Sequence, residues 1–428
     1  MTPRPLFTLL ERPEALLHDG FRARVAALAA SLTGCPSAAL ACKDSESFAI
    51  GLFALLHVGT EVILPPNCQP GTLAGLDGPI VDDETVRAAC PCPMGAAAVL
   101  PPIPPDAAVT FFTSGSTGQP KRIRRSLAML EREVVLLEEQ WGSQLAQSPV
   151  LAMVSHQHLF GLTFKILWPL AAGRSFDPGT HDLWEGLIEA LPERAVLISS
   201  PAHLSRMGGI APLPLAKRPA AVFSAGAPLS LEASQQAEAI LGCRPFEIFG
   251  STETGAVATR SQSSTDADWR LLPGHDLLPH PEGLLKLTSP YDGQTIETAD
   301  LIEPRPGGFR FLGRADRIAK IAGKRVALAE VEAALASLPW VESAAAVFLP
   351  PPIERLGAVL ILTAEGKEKL ASQGSFRFSR LLRRDLSAGL DPAAIPKLWR
   401  FVENLPHHPM GKRKSADLLA LFAEEAAL

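Results

Sequence analysis

Between Thr113 and Lys121 the chain sets four hydroxyls (Thr113, Ser114, Ser116, Thr117), two glycines (Gly115, Gly118) and one lysine (Lys121) close together. Glycine lets the backbone turn until several N–H groups face one anion. The hydroxyls add donors and Lys121 adds a point charge, a combination that suits a polyphosphate. The apolar run Ala107 to Phe112 leads into this turn and reads as the end of a strand. The common P-loop closes its turn with Gly-Lys-Ser/Thr. Here Gln119 and Pro120 separate Gly118 from Lys121, and Arg122 follows. Outside a phosphate site, such a loop is a plain Ser/Gly surface turn.

Other stretches carry chemistry of their own. Phe246 to Gly255 reads as a strand ending in Gly250-Ser251-Thr252-Glu253-Thr254-Gly255. Ala220 to Phe223 runs into Ser224-Ala225-Gly226-Ala227, where small residues leave room for a flat ring. Val150 to Val154 ends in a polar tip with His156 and His158, followed by Phe160 and Gly161. Further on come Thr298-Ala299-Asp300, Gly313-Arg314-Ala315-Asp316 and Leu405-Pro-His-His-Pro-Met-Gly-Lys412. Taken singly, a carboxylate in a turn, or a lysine beside Arg413 and Lys414, reads as solvated charge.

In this order the motifs resemble those of the adenylate-forming acid ligases: acyl-CoA synthetases, aryl-CoA ligases and the adenylation domains of peptide synthetases. The resemblance covers about residues 45 to 415. It implies that ATP activates a carboxylic acid as acyl-AMP, with Mg²⁺ at the phosphates, and that the acyl group then passes to a phosphopantetheine thiol, on CoA or on an acyl carrier protein. Thr113, Ser114, Gly115, Ser116, Thr117, Gly118 and Lys121 would hold the β- and γ-phosphates. Ala225, Gly226, Ala227, Phe249 and Gly250 would form the adenine site, with Phe249 standing where the family often has Tyr. Thr252 would contact the α-phosphate and Glu253 would hold the metal. Asp300 and Arg314 would bind the ribose, although Ala299 replaces the family's usual Gly before the Asp. His158, Phe160, Gly161, Ser224 and Ser251 would line the acid pocket, the alternative for His158 being a packed histidine. His156 reads as a packed or solvent-facing histidine without a role in the pocket. Lys412 would be the catalytic lysine, although His407 and His408 depart from the family's basic-Thr pattern before it. Asp316 would be the hinge, with Arg317 where the family often has a second acid.

The resemblance also divides the chain. Residues 1–314 are expected to form a large multi-layer α/β domain, with β-sheets sandwiched by helices, that binds ATP and the acid. Residues 315–428 are expected to form a small mobile α+β domain carrying Lys412. The early helix-strand unit, from Gly51 to Pro65, fits this pattern, but the region before the phosphate loop is shorter than is usual in the family. His156 to Ile166 contains no acidic residue to bind an α-amino group, so an acid without that group is expected, aryl or medium-chain. The short N-terminal region and the run from Phe311 to Lys320 are similar to the compact ligases of bacterial aryl-polyene pigment clusters. A reading from another class, a non-catalytic nucleotide sensor, is disfavoured by the joint retention of Glu253, Asp300 and Lys412.

The elements that must position these residues alternate in type, as in a layered α/β fold. Helices are expected over Arg22–Leu32, Ser47–His57 and from Leu127 with Ser126 as N-cap. On the last of these, Glu131, Glu133, Glu138 and Glu139 are expected on faces away from the core. Lys165 is expected to snorkel out of its apolar run. Short strands are expected over Thr60–Leu64, Ala195–Ser199 and Ala220–Phe223, and a hairpin around Gly323. In the C-terminal part, strands are expected over Ala344–Leu349, Leu356–Thr363 and Trp399–Val402, and a helix over Phe378–Leu390. Cys90 to Pro105 reads as a linker. At 428 residues the chain is long enough for two domains. A net charge of −5 argues against nucleic acid as a partner, and the apolar run Phe48–Leu56 is too short to span a bilayer. Six scattered cysteines give no metal-binding spacing, and a reducing cytoplasm is the expected location.

Overall fold

The computed structural model describes residues 20–76, 78–89, 100, 102–104, 106–114, 120–264, 267–321, 324–350, 353–387, 390–405 and 415–423. Gly115, Ser116, Thr117, Gly118 and Lys412 lie outside these residues, as does most of the expected linker. The architecture is mixed α/β, with two large sheets flanked by helices.

The first sheet has five strands, in the order Ile80–Val81, Ser37–Leu40, Glu61–Leu64, Ala108–Ser114, Pro120–Ser126. The first four run parallel and the last is antiparallel to Ala108–Ser114. The strands on either side of the phosphate-loop sequence are therefore paired, with Thr113 opposite Lys121 and Ser114 opposite Pro120. Its second strand was not expected. It lies at the sheet edge, where exposed Lys121, Arg122 and Arg124 keep another strand from pairing. The helix Ser45–His57 starts at Asp44, whose side chain accepts from Ser47 N–H. It is buried along nearly its whole surface, so Phe48–Leu56 is core.

The second sheet has ten strands. Val150–Ala152, Val196–Ser199, Ala221–Ser224 and Phe246–Ser251 run parallel. Gly255–Arg260 turns back antiparallel, and further antiparallel strands follow out to Asp276–Leu278. The helix Leu127–Leu145 is capped by Ser126 as expected, and Leu130, Val134, Leu137 and Trp141 seat it in the core between the sheets. Its acidic residues depart from expectation. Glu133 and Glu138 are both buried, because each meets an arginine from elsewhere in the chain. Glu138 takes a closed, two-pronged contact from Arg174, at 2.6 and 2.9 Å, and accepts from Trp168 Nε1 at 2.8 Å.

Residues beyond 315 build their own sheets and core. Ile318–Ile321 and Lys324–Ala327 form the expected hairpin. Val341–Leu349, Arg355–Leu362 and Leu398–Phe401 form a three-stranded sheet. The helix Leu328–Ala336 and the long segment Ala364–Leu386 pack on it through Val331, Leu335, Phe378 and Leu382. That segment begins well before the expected Phe378 and breaks at Gly374, whose φ is 74°. Its first half was hidden in the sequence because only Gly366 is buried there.

Arg174→Ala would leave Glu138 charged and buried without its partner. We expect a loss of about 3–5 kcal/mol in stability, read as a lower thermal midpoint. A loss below about 1 kcal/mol, the range of a surface pair, would contradict this assignment.

Candidate active site

Four parallel strands end on one edge of the large sheet, and ligands in open α/β sheets sit outside such carboxyl ends. The segments leaving those ends carry the expected residues. After Ala152 comes the loop with His156, His158 and Phe160. After Ser224 come Ala225, Gly226 and Ala227, half-buried to exposed. After Phe246–Ser251 comes the turn with Thr252 and Glu253, both half-buried.

The His156 loop is held from behind. The His156 Nε2–H donates to the Cys42 carbonyl at 2.9 Å, which leaves Nδ1 to accept from Ser45 Oγ at 2.9 Å. Of the two expected places for His156, packed or solvent-facing, it takes the packed one, while His158 stays half-buried in the same loop. Gly161 is required for a steric reason: a Cβ there would lie 2.0 Å from the Ser155 carbonyl oxygen. The chain then enters a π-helical stretch, Leu162–Leu167. Within it Lys165 does not snorkel. It is fully buried and donates to the Gly179 carbonyl at 2.7 Å and to Thr180 Oγ1 at 2.8 Å. Burial pushes its pKa down to about 8. The Phe160 ring packs 4.6 Å from Phe164, which belongs to the core with Phe223. Ser224 Oγ is buried and has no hydrogen-bond partner among the described residues.

The turn Ser251–Gly255 is built by Thr254, whose Oγ1 accepts from Ser251 N–H at 2.9 Å and donates to the Gly255 carbonyl at 2.8 Å. Among the described residues the Glu253 carboxylate has no hydrogen-bond or ion-pair partner. A single uncommitted carboxylate fits the expected Mg²⁺, which typically takes one or two carboxylates plus substrate phosphates. Phe249 is half-buried, edge-on to Trp269, Phe309 and Phe311 at 5.2 to 5.5 Å. The strand bearing Phe311 ends at Arg314, and Asp300 stands opposite Arg314 across the strand pair. Their side chains meet at 3.2 Å, and Thr298 Oγ1 donates to the other Asp300 oxygen at 2.9 Å. The two expected ribose ligands are therefore one unit. Asp316 lies in the short 3₁₀ turn that follows. For Thr113 and Ser114 the backbone places them in the hairpin strand.

One group that sequence reasoning missed ties these parts together. Arg125, on the second hairpin strand, is almost wholly buried and its Nη1 donates to the Glu253 carbonyl at 3.0 Å. Glu133, also buried, faces Arg125 at 3.6 Å and accepts from Ala256 N–H at 3.1 Å. Burial raises the Glu133 pKa, with Arg125 and the Ala256 amide pulling it back down. Tyr291 lies under the guanidinium, 5.6 Å to its ring centre, and its hydroxyl donates to the Ala256 carbonyl. Gly255 sits among the three, and a Cβ on it would come within 3.0 Å of both Arg125 and Glu133. The sequence does not single these residues out: Arg125 stands in a run of basic residues and Glu133 is one of several glutamates on its helix.

The loop anchor predicts a pH response. Burial pushes the His156 pKa down to about 4, from about 6.5 in an unfolded chain. Below about pH 6.5 the unfolded chain binds a proton that the folded ring refuses. Stability is therefore full above that pH and falls as pH drops toward about 4. His156→Gln should flatten this limb by about 2–3 kcal/mol between pH 7 and 4.5, measured by denaturant unfolding of both proteins. Parallel pH profiles would contradict the buried neutral ring.

Known proteins resemble this chain over much of its length. A family model described as AMP-binding enzyme matches residues 72–281. The 4-coumarate–CoA ligase of Cereibacter sphaeroides is 29% identical over 316 residues, 72% of this chain and 70% of that protein. The sulfoacetate–CoA ligase of Cupriavidus necator is 28% identical over 403 residues, 81% of this chain and 74% of that protein. The crystal structure of ATP-bound MatB from Rhodopseudomonas palustris superimposes with a TM-score of 0.79 at 18% identity, covering 99% of both chains, a likeness of fold. No helix among the described residues is long and apolar enough to cross a membrane. Residues 72–281 therefore carry the AMP-binding enzyme domain, and the chain as a whole is similar in sequence and fold to the adenylate-forming acid ligases.

Proposed function

We propose that this chain is an AMP-forming acid–thiol ligase acting on a carboxylic acid without an α-amino group, aryl or medium-chain. The observation that carries the reading is the contact between Arg125 and the Glu253 carbonyl. It joins the hairpin of Thr113–Lys121 to the turn of Thr252 and Glu253, the two pieces of phosphate chemistry in the chain. In the first half-reaction a carboxylate oxygen attacks the α-phosphorus of ATP, the bond to the β-phosphate oxygen breaks and pyrophosphate leaves. Positioning and charge neutralisation dominate such a displacement. Ser114, Ser116, Thr117 and Lys121 hold the outer phosphates, Thr252 meets the α-phosphate, and Asp300 with Arg314 holds the ribose. Bound at Glu253 with the substrate's phosphates, Mg²⁺ would supply further positive charge. Lys412 bridges the acid and the α-phosphate, offsetting the repulsion of two anions. In the second half-reaction a phosphopantetheine thiol, on CoA or a carrier protein, attacks the acyl carbon and AMP leaves.

The acid pocket follows the same reading. His158, Phe160, Gly161, Ser224 and Ser251 line it, and the half-buried Phe160 ring gives it an apolar wall. The described cysteines, Cys35, Cys42, Cys68 and Cys243, are free thiols, which suits a reducing compartment. The two half-reactions call for two orientations of residues 315–428 about Asp316, because Lys412 must withdraw before the thiol can enter.

ATP–pyrophosphate exchange over a panel of aryl, acyl and amino acids tests the reading. Exchange is expected with a non-amino acid and absent with every α-amino acid, and efficient exchange with an amino acid would overturn the substrate class. In the same assay Lys412→Ala should abolish exchange while sparing thioester formation from supplied acyl-AMP. Equal loss of both would count against its role.

Asp316→Pro probes the hinge. Proline fixes φ near −65° and restricts Ala315 before it. Pyrophosphate exchange should survive while thioester formation falls by about two orders of magnitude or more. Full overall turnover would place the hinge elsewhere.

A further inference from the structure

We infer that Arg125 is a positioning residue for the nucleotide's phosphates: it sets the phosphate hairpin against the Thr252–Glu253 turn. The inference deepens the proposed function and rests on its nucleotide site. Arg125 belongs to the strand Pro120–Ser126, which also carries Lys121. Its Nη1 grips the backbone of Glu253 itself at 3.0 Å. Glu133, on the helix that follows directly, grips the amide of Ala256 at 3.1 Å, just beyond the same turn. Two consecutive elements downstream of the phosphate loop thus hold the turn at both sides. Gly255 admits them by carrying no side chain.

The detail of the pair separates positioning from plain stabilisation. The same helix holds a second buried pair, Glu138 with Arg174, closed at 2.6 and 2.9 Å. Arg125 and Glu133 instead stand 3.6 Å apart. Arg125 Nε and Nη2 and Glu133 Oε2 have no hydrogen-bond partner among the described residues. The hydrogen bonds that are made go to the backbone of the turn, to Glu253 and Ala256. A pair serving stability alone would close, as Arg174 and Glu138 do. This one is held open by its grip on the turn, and the Tyr291 ring beneath the guanidinium, with its hydroxyl on the Ala256 carbonyl, fixes that arrangement.

The test is ligand binding to the full chain, with no acid or thiol required. The probes are the non-hydrolysable ATP analogue AMP-PNP with Mg²⁺, and adenosine, which reaches only the base and ribose sites. Arg125→Lys keeps the charge but cannot serve both Glu253 and Glu133. It should weaken AMP-PNP binding by about tenfold or more, the loss of one charge-assisted hydrogen bond, and leave adenosine binding unchanged. The double variant Arg125→Met/Glu133→Leu removes the pair without stranding a charge. It should melt above the Arg125→Met single variant yet keep the weakened AMP-PNP binding. Recovery of AMP-PNP binding together with stability would overturn the inference, showing the pair to be structural only. An equal loss of adenosine binding in Arg125→Lys would overturn it as well. An unsubstituted protein that fails to bind AMP-PNP would overturn both this inference and the functional reading beneath it.

Discussion

A guanidinium in a protein interior is costly unless charge and hydrogen bonds compensate it. At Arg125 the compensation comes from three separate parts of the chain: the Glu133 carboxylate, the Glu253 carbonyl and the face of the Tyr291 ring. Meeting that demand fixes how the five-stranded and ten-stranded sheets stand to each other at the point where their loops converge. The strand pair Ala108–Ser114 and Pro120–Ser126 belongs to one sheet and the Glu253 turn to the other. Neither sheet alone could place both. Gly255 is a consequence of the same constraint, since a side chain there would drive the pair apart.

The remaining supports are local. His156 anchors its loop to Cys42 and Ser45, so a loop that rises from the second sheet is held by the segment that follows a strand of the first. Asp300 and Arg314 are paired by strand register. The chemistry is thus spread over loops, while their relative placement is carried by buried polar contacts between elements far apart in sequence.

Much of this was legible in the sequence, and the limits have physical causes. Asp44 and Ser126 cap their helices, and Ser126 was readable because a hydroxyl residue stands just before an apolar 3.6-residue period. His156 was read as packed or solvent-facing, and it is packed. The strand Pro120–Ser126 was not legible, because an edge strand with basic residues on both faces shows no apolar face. Glu133 and Glu138 were read as outward charges on a helix, since the arginines that neutralise them come from other elements. Lys165 was expected to reach solvent. Its acceptors are the carbonyl of Gly179 and the hydroxyl of Thr180, and a backbone carbonyl leaves no trace in a side-chain pattern. The motifs at the strand ends were placed by resemblance. What joins them, Arg125 with Glu133 and Tyr291, was not, because it depends on tertiary pairing alone.

The central claim is a bond-level one: the acid's own oxygen becomes part of AMP. A carboxylic acid accepted by the enzyme, labelled with ¹⁸O in both carboxylate oxygens, reports on it when turned over with ATP and a thiol acceptor. Attack of the carboxylate on the α-phosphorus, followed by thiol attack on the acyl carbon, leaves a single labelled oxygen on AMP, seen by mass spectrometry. Unlabelled AMP, or ADP as the nucleotide product, would contradict the account.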